Sequence, residues 1–175
     1  MSQQNSKLAS IGYNYCGGLV PLMFFGIILA AIVVLPFQAR VKYVKQGSAR
    51  EYVSSINKRQ PAYFAEKNVF ITSVKALRIP IKTDTENYKY SLVVTKTATF
   101  NYGVSKQKDL KSYVGGVFLI PSKNFDSNAS QYKLTTTSIL CQADSAGTIK
   151  PPEPTNQNGK IACATGTVEL TQNYH

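Results

Sequence analysis

The three cysteines are the residues of this chain best suited to covalent chemistry, and they divide unevenly. Cys141 and Cys163 lie in a polar stretch rich in Gly, Pro, Asn and Thr, with 21 residues between them. Joined as a disulfide they would close a loop worth about 3 kcal/mol in the chain-entropy picture. That bond would place the surrounding domain on the oxidising side of a membrane; left apart, they are two structural thiols. Cys16 sits by itself at the edge of an apolar run. It fits a lipidated or redox-active thiol or an inert membrane-edge cysteine, and the small apolar residues of a lipoprotein signal do not precede it.

Other reactive chemistry is sparse. The one histidine, His175, is the last residue, so a histidine-based triad or metal cluster is not expected. No phosphate-binding loop or dinucleotide fingerprint occurs, and Gly115-Gly116 falls within a strand-like run. The nine acids are scattered, without a pair spaced for glycoside chemistry. Asp84 and Glu86 read as calcium ligands or as a solvated turn, and Asn128-Ala129-Ser130 matches a glycosylation acceptor. These residues predict a non-enzymatic protein with no cofactor and no metal.

Charge suggests a surface partner. Twenty basic residues face nine acidic ones, a formal net charge of +11. Between residues 40 and 59 Arg40, Lys42, Lys45, Arg50, Lys58 and Arg59 face only Glu51. Such a stretch meets anionic headgroups or another polyanion, or is a solvated helix face beside a membrane. No nucleic-acid recognition motif accompanies it, so nucleic acid is not expected as a partner.

The elements that must position these residues begin with residues 8–39, which carry no charge. Their apolar centre, Leu19–Phe37, would make a helix roughly 28 Å long, close to the thickness of a bilayer core. A cleaved secretory signal fits poorly, because the run is long and no small-x-small site follows it. Residues 1–18 read as a leader or cytoplasmic tail ending in Gly17-Gly18. Pro21 falls in the first turn of the helix, where its missing N–H costs little; Pro36 falls inside the continuous pattern and should kink or loosen the helix.

Beyond the apolar run, Phe37, Val41, Val44, Ala49, Tyr52, Val53, Ile56, Tyr63 and Phe64 recur at steps near a helical turn. One helix over about 19–66 is therefore predicted: residues 19–37 in lipid, and 38–66 laying a stripe on a globular domain of residues 67–175. Pro61 should bend or end it. Strand patterns follow at Tyr88–Val94, Thr97–Val104, Tyr113–Ile120, Leu134–Gln142 and Val168–Thr171, suited to a half-solvated antiparallel sheet. Residues 144–160 read as a Pro-rich loop. Positive-inside counting sets the domain in the cytoplasm, whereas the cysteines set it outside; large domains cross largely regardless of charge, which favours the cysteines.

GIILAAIVVLP at Gly26–Pro36, followed by SSINKRQPAYFAEKNVF at Ser54–Phe70, resembles a type IV pilin. With TDTENYKYSL at Thr83–Leu92, KDLKSYVGGVFLI at Lys108–Ile120 and TTTSILCQAD at Thr135–Asp144, the chain is more narrowly similar to the cyanobacterial type IV pilin-like G and H family, over about residues 19–170. The resemblance implies an α+β fold: a long N-terminal helix packed on a small antiparallel sheet, with a disulfide near the C-terminus. It also implies pilin subunits as partners, alongside the bilayer. Typical pilins are cut after a glycine and carry a glutamate five residues into the mature helix. Cleavage after Gly18 would put Met23 there, and matching Leu29–Ile32 to the family run puts Gly18 there; no acid precedes Glu51.

Two functions are therefore expected. One is a minor pilin or pseudopilin in a surface filament or secretion machine. The other is an uncleaved accessory subunit of another membrane complex, its helix packing through Gly26, Ala30 and Ala31, which permit close backbone approach. In both, the chain spans the membrane once, with a cytoplasmic N-terminus and a periplasmic, lumenal or extracellular domain.

Overall fold

A computed structural model describes residues 16–77, 82–122 and 134–170 of the chain, with side chains described from Phe37 onward. The elements among the described residues are one long helix, α1 (Cys16–Lys67), a short 3-10 turn at Lys75–Leu77, and seven strands. Among the described residues no helix is long and apolar enough to cross a membrane. Residues 19–36 of the predicted span lie outside those described side chains. The chain divides into two compact units, Met1–Tyr43 and Val44–His175. The second holds the sheet and both hydrophobic clusters that cover it.

The sheet is antiparallel, in the order β1 (Tyr88–Val94), β2 (Ala98–Ser105), β3 (Lys111–Pro121), β4 (Leu134–Ala146), β7 (Thr167–Glu169). Three successive hairpin connections build its first four strands, a meander in which every neighbour in sequence is a neighbour in space. A separate hairpin pairs β5 (Thr155–Gln157) with β6 (Lys160–Ala162). Thr95 ties the first turn: its hydroxyl accepts from the Ala98 N–H at 2.9 Å, and its own N–H donates to the Ala98 carbonyl at 2.8 Å.

Alternation along each strand sends side chains to two faces, and both are covered. On one face Tyr88, Tyr90, Tyr113 and Leu140 pack with Ala49, Tyr52, Val53 and Ile56 of α1 and with Ile71, Val74 and Leu77 beyond it. On the other, Phe100, Tyr102, Val114, Phe118 and Ile139 form a second cluster, closed by Ile161 and Cys163. Seven of the eight residues of β2 are therefore buried. The expectation of a half-solvated sheet fails at its centre, because the C-terminal segment folds back over the face that α1 leaves open.

Three further expectations are corrected. Pro61 does not end α1, which continues to Lys67; its missing N–H removes the bond to the carbonyl of Asn57. The helix stops instead at Asn68, in left-handed conformation (φ 56°), whose N–H donates to the Phe64 carbonyl at 2.8 Å. The proposed apolar stripe is buried only in part. Ala49, Tyr52, Val53 and Ile56 are core, whereas Phe37, Val41, Val44 and Tyr63 are exposed. Finally, residues 144–160 are not loop throughout: they hold the end of β4 and, at residues 155–157 and 160, strand of the β5–β6 hairpin.

Candidate functional site

Polar side chains, not only the apolar stripe, hold α1 to the sheet. Asn57 is fully buried; its Nδ2 donates to the Ile139 carbonyl at 2.8 Å and its Oδ1 accepts from Asn101 Nδ2 at 2.6 Å. Gly115 makes this approach feasible, since a Cβ there would lie 2.6 Å from Asn57 Cγ. One turn on, Gln60 mimics a strand partner: its Oε1 accepts from the Ile71 N–H at 2.9 Å and its Nε2 donates to the Ile71 carbonyl at 3.2 Å. Arg59 Nη1 donates to the Leu77 carbonyl at 2.9 Å, and Gln46 Oε1 accepts from the Lys111 N–H at 3.0 Å. Asn57 and Gln46 fix the helix in register along the sheet, and Gln60 and Arg59 tie it to the segment that leads from α1 to β1.

The opposite face is held by the segment from Gly147 to Cys163. Cys141 and Cys163 form a disulfide, with Cα atoms 5.8 Å apart, tying fully buried β4 backbone to the chain beyond β6. Tyr102, fully buried in β2, donates its hydroxyl to Glu153 Oε1 at 2.6 Å, while Lys150 Nζ sits 3.8 Å above its ring. A Cβ on Gly116 would come 3.3 Å from Pro154 Cγ, so the glycine lets the proline settle on the strand. A tyrosine, a proline and a disulfide thus clasp a segment that has little regular structure.

A groove of about 500 Å³ lies between the flank of α1 and the turn before β1. Lys45, Ser48 and Glu51 line one wall and Thr85, Asn87 and Tyr88 the other. The hydroxyl of Tyr52 and Oδ1 of Asn87, both in residues lining it, are buried without a partner among the described residues. Burial pushes the tyrosine hydroxyls up: Tyr90 to about 12, with Tyr52 adding to the effect, and Tyr52, Tyr88 and Tyr113 in the same direction. Tyr102 is raised by burial and then by the Glu153 carboxylate. All stay protonated near neutrality, so they act as packing and hydrogen-bonding groups rather than as acids or bases.

The residues singled out in the sequence meet different fates. Asp84 does not gather ligands with Glu86; its carboxylate bonds Lys106 Nζ at 2.8 Å, which holds its pKa below the usual range. Among the described residues no group of His, Cys, Asp and Glu could hold a metal ion. Gly115 and Gly116 lie within β3, as the strand-like pattern indicated. Arg40 and Arg50 are exposed, while Lys42 and Lys45 are half-buried along α1. Arg50 also approaches Tyr113 closely enough to oppose the rise of its pKa. Gly18, Gly26, Ala30 and Ala31 fall on α1 outside the described side chains, and Asn128, Ser130 and His175 lie outside the described residues altogether.

Sequence reasoning missed Asn57, Gln60 and Asn101 because buried amides look like solvated ones in a polar-apolar pattern. Phase was the available signal: Asn57 and Gln60 sit on the same helical face as Val53 and Ile56.

Comparison with curated proteins and with solved structures found no match. Residues 46–164 match the family described as type IV pilin-like G and H, a narrower span than the 19–170 expected from the motifs. That family is structural rather than enzymatic, in keeping with the helix on an antiparallel sheet and the Cys141–Cys163 bond. The chain belongs to the type IV pilin-like G and H family.

Proposed function

We propose that the protein is a single-pass membrane subunit of the minor pilin or pseudopilin kind, from a cyanobacterial source, with its globular unit exported. The supporting observation is the family match over residues 46–164, laid on a helix-docked sheet. Leu19–Phe37 supplies the apolar length for a span, and the Cys141–Cys163 bond suits an oxidising compartment. Arg40, Lys42 and Lys45 would meet anionic headgroups where the helix leaves the bilayer. Other pilin subunits would be the partners.

One observation favours a second reading. No acid precedes Glu51, so the apolar helix brings no carboxylate to pair with a neighbour's N-terminal amine. An uncleaved accessory subunit, packing on other transmembrane helices through Gly26, Ala30 and Ala31, needs no such pair. Intact mass of the protein recovered from cells separates the two. Loss of residues 1–18 supports the processed pilin; an intact Met1–Gly18 together with co-purifying non-pilin membrane proteins refutes it in favour of the accessory subunit. Protection of the globular unit from an impermeant reagent in spheroplasts, with the outer envelope removed, would refute export across the cell membrane in either form.

A further inference from the structure

The β5–β6 hairpin turns on two residues, Asn158 and Gly159, and pairs Gln157 with Lys160. Both turn residues have positive φ, 55° and 88°, the mirror-image turn that suits the right-handed twist of a hairpin and favours Asn followed by Gly. Asn158 is exposed. An asparagine before glycine has a specific intrinsic chemistry, because no side chain on the glycine shields its amide nitrogen from the asparagine carboxamide. Here that nitrogen is occupied: the Gly159 N–H donates to Asn156 Oδ1 at 2.9 Å.

We propose that Asn158 is a site of spontaneous deamidation and that Asn156 sets its rate by holding the attacking nitrogen. In the reaction the Gly159 nitrogen loses its proton and forms a bond to Cγ of Asn158. The Cγ–Nδ2 bond breaks, ammonia leaves carrying that proton, and a five-membered imide closes. Water then adds to either imide carbonyl. Opening at one returns the ordinary backbone with Asp at position 158; opening at the other carries the backbone through Cβ and Cγ as isoaspartate. No step oxidises or reduces anything, and water is the only co-reactant.

The product matters to the surface that carries it. Each conversion adds a negative charge to a strongly basic chain. The isoaspartate form also inserts a methylene into a two-residue turn, whose register depends on its length. The hairpin lies inside the loop closed by Cys141 and Cys163, so the change stays attached to the clasp over β2 and β3. The hydrogen bond to Asn156 both aligns the turn and removes the free N–H that must ionise before attack.

The test follows the peptide containing Asn158 by mass spectrometry during incubation of the full-length chain in neutral buffer, with electron-based fragmentation separating Asp from isoaspartate. The wild type should convert slowly and its reduced, denatured form faster. Asn156→Ala should convert about fivefold faster than wild type, the factor an ordinary net hydrogen bond is worth. Asn156→Asp, which keeps an acceptor, should stay near the wild-type rate and guards against a general loosening of the hairpin. Absence of product at Asn158 even in the denatured chain would overturn the assignment of the site. Equal rates for wild type and Asn156→Ala, or for folded and denatured wild type, would overturn the role given to Asn156.

Discussion

Substituting Gly115 by alanine would test whether the polar seam under α1 governs how helix and sheet fit. Gly115 sits between Asn101 and Leu140 on the neighbouring strands, facing the helix. A methyl there lies 2.6 Å from Asn57 Cγ, so the amide must move, and at 0 % exposure it has no solvent to move into. Displacement breaks its bonds to the Ile139 carbonyl and from Asn101. Two neutral hydrogen bonds at about 1 kcal/mol each and a stranded buried amide at about 1–3 kcal/mol come first. Crowding adds about 1–3 kcal/mol, and the stiffer unfolded chain returns up to about 1 kcal/mol. The expected loss is about 3–8 kcal/mol, well above the roughly 1 kcal/mol of an average substitution. Urea unfolding followed by circular dichroism reads it. Asn57→Ala combined with Gly115→Ala should fall short of the sum of the single losses by about 1–3 kcal/mol, because the first change makes room for the second. A Gly115→Ala protein within about 1 kcal/mol of wild type, or strictly additive losses, would refute the packing argument.

Three further outcomes are expected from the opposite face and from the tyrosines. Replacing both Cys141 and Cys163 by serine should lower stability by about 3 kcal/mol, as reduction of the wild type should; coincident urea midpoints with and without reductant would contradict this. Tyr102→Phe keeps the ring beneath Lys150 but loses the bond to Glu153, and should cost about 1 kcal/mol, discounted because Glu153 is exposed. The same variant should admit protease more readily to residues 147–160, and unchanged cleavage there would sink the clasp. The buried tyrosines have folded pKa values raised above their unfolded value of about 10, so their contribution is fully present below that pH. It should fall away as pH climbs towards about 12, where Tyr90 ionises in the folded state. The buried tyrosines' share of the tyrosinate absorbance should therefore appear together with loss of circular dichroism, and ionisation of all tyrosines well before unfolding would disprove their burial.

Periodicity made the strands readable and left the contacts between layers obscure. β1 coincides with the predicted Tyr88–Val94, and β2 to β4 fall within a few residues of expectation, because Tyr, Val and Thr alternate there between turn residues. The β5–β6 hairpin was hidden, since Thr155–Gln157 and Lys160–Ala162 are too short to alternate. Its Asn-Gly turn was nevertheless the strongest short-range hairpin signal in the chain. On α1 the apolar residues outnumbered the face that is buried: Phe37, Val41 and Val44 keep helical spacing yet fall out of phase with Ala49, Val53 and Ile56. The amides at 57 and 60 replace them in phase. A pattern that scores only polar against apolar therefore gave the element and misplaced its buried face.

The limits of the family match have a physical reading in these contacts. It opens at Gln46, whose side chain bonds the sheet at Lys111, and closes at Ala164, one residue beyond the second half-cystine. Between those points many side chains answer to a specific partner: Asn57 to the space over Gly115, Gln60 to the Ile71 backbone, Tyr102 to Glu153, Cys141 to Cys163. Pairwise demands of this kind narrow the residues a position accepts, because each failure strands a buried polar group or crowds a close approach. A run of apolar residues without such partners makes no such demand, since many Leu, Ile, Val and Phe orders satisfy it equally. Family identity is thus written where helix, sheet and clasp must fit one another.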